Sequence, residues 1–403
     1  MATPKLRFKE FDGDWFQSKI GEIFQVTSGS TPLRSDNRFF ENADIAWVKT
    51  TDLNNGLIEK TEEKISQIAL KETSVKILPK GTVFVAMYGG FNQIGRTGLL
   101  VDEAACNQAL SAIYPNEKID SYFLLTFLNH KVDDWKNFAA SSRKDPNITK
   151  SDVLAFPLKY PVKEEQTKIA SFLCAVDEKI SQLTQKHALL SQYKQGMMQK
   201  LFSQQLRFKA DDGSEFGEWE TTTLGQTGKF IGGGTPSKEN SEFWEGSIPW
   251  ISSSDLTEES IFKINITRFI SQNALNQSAT KLVPANSILI VSRVGVGKVA
   301  ITPNEICTSQ DFTSLTLHKG SSIFFAYLIK SLTPYLLEMN QGTSIKGFIK
   351  DDLANLELKI PCIEEQTKIA NFLSAIDQKI EVVAQQIEQA KTWKKGLLQQ
   401  MFV

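Results

Sequence analysis

The chain is 403 residues long and electrically balanced, with 45 Lys and Arg against 46 Asp and Glu and a formal net charge of −1. That excludes a global basic field as the route to nucleic acid, so any such binding relies on local patches or on a partner. Four scattered cysteines (Cys106, Cys174, Cys307, Cys362) and three isolated histidines (His130, His187, His318) predict neither disulfides nor a metal site, no apolar run approaches membrane-spanning length, and a cytoplasmic protein without a leader is the expectation.

In chain order, Leu6-Arg-Phe-Lys9 leads in, followed by a turn at Gly29-Ser-Thr-Pro32 and by Trp47-Val-Lys-Thr-Thr-Asp-Leu53. Ile77–Tyr88 is apolar and bounded by Pro and Gly, which predicts a strand with turns. Asp120–Asn129 predicts a short helix. Pro161 stops the strand before it, and Glu164-Glu165 suit the positive end of a helix running from Glu164 to Phe202.

Then the chain starts again. Leu206-Arg-Phe-Lys209, Gly233-Gly-Thr-Pro236, Trp250-Ile-Ser-Ser-Ser-Asp-Leu256, the strand-like Leu282–Val291 and a helix over Ser322–Leu332 follow in the same order. The closing segments are the nearest copies: PVKEEQTKIASFLCAVDEKI at Pro161–Ile180 and PCIEEQTKIANFLSAIDQKI at Pro361–Ile380 agree at 14 of 20 positions. The offset drifts inside each half and returns at the helix, as two homologous domains with different loops would require. The predicted fold is α+β. Two similar mixed domains occupy 1–160 and 204–360, and each is followed by a long helix, at 161–203 and 361–403.

Each repeated helix carries an a/d seam. The first has Ile169, Leu173, Val176, Ile180, Leu183, His187, Leu190, Lys194, Met197 and Leu201; the second has Ile369, Leu373, Ile376, Ile380, Val383, Ile387, Ala390, Lys394, Leu397 and Met401. Sustained 3-4 spacing predicts a coiled-coil seam, with helices about 57 Å long at 1.5 Å per residue. The favoured expectation is an antiparallel helix pair; the alternative is that each helix packs on its own domain.

Catalytic motifs are missing. Gly295-Val-Gly-Lys298 lacks the upstream Gly and the following Ser/Thr of a phosphate loop, and Gly232-Gly-Gly-Thr-Pro236 reads as a turn rather than a nucleotide cradle. No nucleophile set, amino-methylating motif or cofactor-binding glycine motif is present, so the chain is expected to be non-catalytic by itself.

Two variable domains, each closed by an EEQTKIA-type helix, together with the Leu-Arg-Phe, Gly-x-Thr-Pro and Trp-x-x-x-x-Asp-Leu segments, resemble the specificity subunit of bacterial type I restriction–modification systems. The resemblance covers essentially the whole chain. It implies two target-recognition domains, each reading one part of a bipartite double-stranded DNA site. It also implies helices that fix the spacer and dock two methyltransferase subunits, with restriction/translocase subunits joining that core. S-adenosylmethionine, ATP and Mg would then belong to the partners.

Positions identical in the two halves cannot tell two half-sites apart and are assigned to folding or phosphate contact: Thr31-Pro32 with Thr235-Pro236, Asp52-Leu53 with Asp255-Leu256, and Lys150 with Lys350. Base reading is expected where the halves differ. Tyr88, Gly89, Asn92, Gln93 and Arg96 form the first candidate loop, matched by Arg293 and Lys298; the alternative is a glycine-rich hairpin with solvated basic residues. Arg143 and Lys144 pair with Thr343, Ser344 and Lys346 as a second set, the alternative being a plain surface loop. Lys49 and Thr50 pair with Ser252 and Ser253 as a third. Gln108 and Gln310 are either DNA contacts or core amides. A scaffold protein with two protein-binding domains is the competing function, which copurification with a methyltransferase would discriminate.

Overall fold

The computed structural model describes residues 3–90, 92–139, 147–339 and 347–402. Two compact units emerge, Met1–Thr184 with Gln385–Val403, and Gln185–Ala384. The boundaries cut the long helices instead of falling at their ends. Each unit therefore holds a mixed α/β domain, the first part of its own helix and the last part of the other.

In the first unit, the strand Val83–Ala86 sits centrally in a five-stranded sheet ordered Val26–Ser28, Leu110–Ile113, Val83–Ala86, Thr97–Leu100, Gly56–Ile58. All four of its residues are buried. Because side chains alternate across a strand, Val83 and Val85 feed one apolar cluster while Phe84 and Ala86 feed another. A three-stranded sheet orders Glu63–Ile65, Ile45–Val48 and Ala105–Cys106. The ribbon of Phe16–Lys19 with Pro157–Tyr160 closes the ends of the domain. The helix Ser121–His130 is capped by Asp120, whose carboxylate accepts from the Tyr122 and Phe123 amides, and it buries Phe123 and Phe127 in the core.

The second unit repeats the plan. Ile288–Ile290 lies between Thr313–Leu317 and Val299–Ile301, sending Ile288 and Ile290 to one cluster and Leu289 to the other. The second sheet orders Arg268–Ile270, Ile248–Ile251, Ile306–Thr308 and Leu282–Val283.

Three boundaries differ from the sequence reading. The Ile77–Tyr88 run is broken by a turn at Gly81, with φ +85°, so only Val83–Ala86 is strand. Leu282–Val291 is likewise split by Pro284 and by Asn286, which has φ +61°. The helix at Ser322 runs on to Met339, through Pro334. In each case an apolar run outlasts or falls short of the backbone geometry that can carry it.

The long helices span Lys163–Phe202 and Ile363–Met401, and they pair antiparallel. In the first unit, Ile169, Leu173 and Val176 share a core with Phe123 and Phe156 of the domain, with Leu397 and Met401 of the second helix and with Phe402 just past its end, and Ile180 packs against its edge. In the second unit, Ile369, Leu373 and Ile376, edged by Ile380, share a core with Phe324 and with Met198 and Leu201 of the first helix. Both sequence readings of the seam hold, on the same residues. Further along, Leu183 and Val383 are buried, and Leu190 and Ile387 are half-buried.

The repeated motif follows from these contacts. Arg7 donates through Nε and Nη2 to the fully buried Glu165 carboxylate at 2.8 and 2.7 Å. Arg207 does the same to Glu365, whose carboxylate also accepts from the Trp219 indole at 3.2 Å. Gln166 and Gln366 each donate to the carbonyl of the preceding proline, Pro161 or Pro361, at 2.9 Å and accept from the amide at the start of the domain's helix, Asp120 or Ser321. The Glu-Gln pair thus ties the lead-in, the domain helix and the long helix together, with buried polar groups satisfied.

Candidate nucleic-acid interface

Each half presents a surface built on one common frame. The frame begins at the repeated glycines. A Cβ at Gly29 would collide with the carbonyls of Cys106 and Asn107, and one at Gly233 with that of Ser309, so only glycine lets this backbone pass. These glycines serve close packing and do not cradle a nucleotide. Trp47 and Trp250 then pin the turn, donating to the Ser30 carbonyl at 3.2 Å and the Gly234 carbonyl at 3.0 Å. Asp52 and Asp255 cap the short turns that follow, accepting from the Lys49 and Ser252 amides at 2.7 Å.

Upon that frame the halves diverge. Opposite Trp47 in the strand register stands Glu63, whereas opposite Trp250 stands Arg268. In the first unit Glu63 binds Lys49 and Arg34, each at 2.6 Å, and the Arg34 guanidinium lies 5.0 Å from the Trp47 ring. Arg34 first and Lys49 second hold the Glu63 carboxyl below the usual range, and Glu63 holds Lys49 above its own. In the second unit the Arg268 guanidinium stacks 4.7 Å over Trp250, donates to Ser252 Oγ at 2.8 Å and pairs with Asp255. The residue opposite the shared tryptophan thus differs between the halves, while an arginine lies against the ring in both, which sequence reading missed because pairing partners are not adjacent in sequence.

The candidate residues fall out as follows. Tyr88, Gly89, Asn92, Gln93 and Arg96 occupy the loop joining Val83–Ala86 to Thr97–Leu100, with Tyr88, Gly89 and Asn92 exposed. Gly89 and Gly90 have φ +113° and +74°. Arg96 donates to the Gln93 side-chain oxygen at 2.7 Å, so these two act as one unit. Arg293 is exposed in the matching hairpin loop and makes no polar contact among the described residues. Lys298 reaches across to the Ser253 carbonyl at 3.0 Å, so the structure brings together two candidates distant in sequence. Ser252 is held by Arg268 and Asp255, and Thr50 is half-buried within its turn. Lys49 is ion-paired, its ammonium meeting Glu63 at 2.6 Å and Glu62 at 3.5 Å. Gln108 and Gln310 are exposed, not core amides; they accept from Thr31 and Thr235, bracing the turn. Lys150 and Lys350 are exposed at the starts of short helices. Arg143, Lys144, Thr343, Ser344 and Lys346 lie outside the described residues. Among the described residues, no cluster of His, Cys, Asp and Glu could hold a metal, and no helix is long and apolar enough to cross a membrane.

The family model "Type I restriction modification DNA specificity domain" matches twice, over residues 12–192 and 217–392. The chain belongs to this family. Its two matches coincide with the two frames described above. Among relatives in the family, the MjaVIII specificity subunit of Methanocaldococcus jannaschii is 23% identical over 97% of this chain and 94% of its own length. The HindI specificity subunit of Haemophilus influenzae is 25% identical over 87% and 90%. The MjaIX specificity subunit of M. jannaschii is more alike locally, 32% identical, but the match spans only 41% of this chain and 39% of that subunit. In fold, the chain is similar to the type I S subunit of M. genitalium, with TM-score 0.63 and 17% identity over 100% of this chain and 99% of that one. A chain from a type I restriction–modification assembly aligns with TM-score 0.59 and 20% identity, over 96% and 97%.

Proposed function

We propose that this chain is the DNA-reading, non-catalytic subunit of a type I restriction–modification complex, working in the cytoplasm. Each half reads one part of a bipartite site, and the helix pair sets the distance between the parts and docks two methyltransferase subunits. Restriction/translocase subunits join that core, and S-adenosylmethionine, ATP and Mg are bound by partners. The observation that carries this reading is one frame, kept in both halves, on which the surface residues differ, as where Glu63 stands opposite Trp47 and Arg268 opposite Trp250. Differing surfaces on a shared frame suit two sensors for different half-sites. DNA half-sites must also be met at a fixed spacing along and around the duplex, which a stiff helix pair provides and a flexible linker does not.

The test is copurification followed by mapping of methylated adenines across the host genome, with and without the gene. The expected result is a methyltransferase partner, and a single bipartite motif whose methylation vanishes with the gene. An unchanged methylation map would refute the reading.

A further inference from the structure

Each half carries the same set of polar side chains, a half-buried threonine with an exposed glutamine and lysine, and bracing the turn uses only the threonine hydroxyl and the glutamine oxygen. In the first unit, Thr31 donates to Gln108, and Lys76 lines the same cleft together with Ser30 and Ser74, whose hydroxyls are 2.8 Å apart. In the second unit, Thr235 donates to Gln310, and the Gly234 backbone lies against Ala279 and Thr280, immediately before Lys281. The lysines are equivalent in sequence, within Lys76-Ile-Leu-Pro79 and Lys281-Leu-Val-Pro284. They are also equivalent in structure, since Leu78 bridges to Ala104 as Val283 pairs with Ile306.

The chemistry of the trio is directional. With its oxygen engaged by the threonine hydroxyl, each glutamine amide is left with its NH2 as a donor, and that NH2 has no partner among the described residues. Lys76 and Lys281 are exposed and likewise make no polar contact among the described residues. In the first unit an oriented amide donor and an unpaired ammonium line one cleft, an arrangement that suits an anionic oxygen. Within the DNA itself, two halves that read different bases have only the sugar-phosphate backbone in common.

We propose that Thr31–Gln108–Lys76 and Thr235–Gln310–Lys281 are a pair of sequence-independent phosphate clamps, one per half, that register each domain on the duplex. The proposal rests on the DNA-reading function above and deepens it. The threonine orients, the glutamine donates a directional bond, and the lysine supplies the charge.

The test uses the full-length chain copurified with its methyltransferase partner, and measures binding to a duplex bearing the mapped site and to one of unrelated sequence, over a range of salt. Lys76→Ala and Lys281→Ala should each lower the slope of log affinity against log salt by about 0.9, and the double variant by about twice that. Affinity should fall by the same factor on both duplexes, and Lys76→Arg should restore the slope. Gln108→Ala should weaken both duplexes equally. Thermal melts of the lysine variants should match the parent; a lowered melting temperature in them with an unchanged slope would assign the trio to folding and overturn the clamp. An unchanged slope in Lys76→Ala, with the parent still selecting its site, overturns the clamp and leaves the DNA-reading function standing. A change in the preferred site would make Lys76 a base reader and also overturns it. A parent complex with no site selection overturns both.

Discussion

Lys394, near the end of the second long helix, places its ammonium 2.6 Å from the Asp177 carboxylate in the first. The second unit holds the reciprocal pair, Lys194 with Asp377 at 2.5 Å. Each aspartate also accepts from a tyrosine of its own domain, Tyr122 at 2.7 Å and Tyr327 at 2.5 Å. The tyrosines come from different turns of their helices: Asp120 and Ser321 mark equivalent starts, with Tyr122 two residues on and Tyr327 six. A lysine in an apolar seam is tolerated because its charge is met there, and the pairing specifies register.

The two pairs should differ in cost when broken. Both partners of Lys194–Asp377 have side chains only 8% exposed, against 21% and 31% for Lys394 and Asp177. Asp377→Ala strands a buried ammonium and a buried phenol, and should cost about 3–5 kcal/mol. Asp177→Ala should cost about 1 kcal/mol or less from the ion pair, plus about 1 for the tyrosine bond. Denaturant unfolding of the two variants, with Lys194→Met/Asp377→Leu recovering most of the larger loss, measures the difference.

Lys330 makes a pH prediction. Burial first, and the nearby Lys194 second, lower its pKa to about 8, against Asp377, Glu258 and Glu259, which act to raise it. Its folded value lies below the unfolded 10.5, so between those values the unfolded chain binds more protons and stability rises with pH. Below pH 8 the cost of the buried charge is fully present. Lys330→Met should therefore stabilise the protein at pH 7 by roughly 1–2 kcal/mol, after losing the bond to the Glu258 carbonyl. The gap between variant and parent should narrow as pH rises from 8 towards 10.5. Thermal melts across that range give the sign directly.

Recognition should split by half. Arg96→Ala and Arg293→Ala are each expected to relax the preference at one half-site only, by about 1–3 kcal/mol for a lost bidentate guanine contact. Gln93→Ala should resemble a mild Arg96 variant, because it releases that guanidinium. Equal loss on all sequences with a reduced salt slope would reassign both arginines to phosphate.

The spacing reading has its own test. Four residues, about one helical turn, inserted after Gln182 should lengthen the tolerated spacer without altering either half-site. Methylation mapping that shows the original spacer would remove the helices from that role.

The sequence by itself determined the duplication, the α+β domain class, the long helices and their seam, because repeats and 3-4 periodicity are local patterns that survive in one dimension. It also marked Leu-Arg-Phe, Glu-Glu-Gln and Trp-x-x-x-x-Asp-Leu as common to both halves, without saying what each does. Only the tertiary structure decided that Arg7 meets Glu165, that Asp177 meets Lys394, and that each helix finishes in the core of the other half's unit. The same holds for the ion-paired Lys49 and for Arg268, whose place opposite Trp250 depends on strand pairing. The physical reason is that charge neutralisation and stacking act between atoms a few ångströms apart, whatever their separation along the chain, so no window of sequence contains both partners.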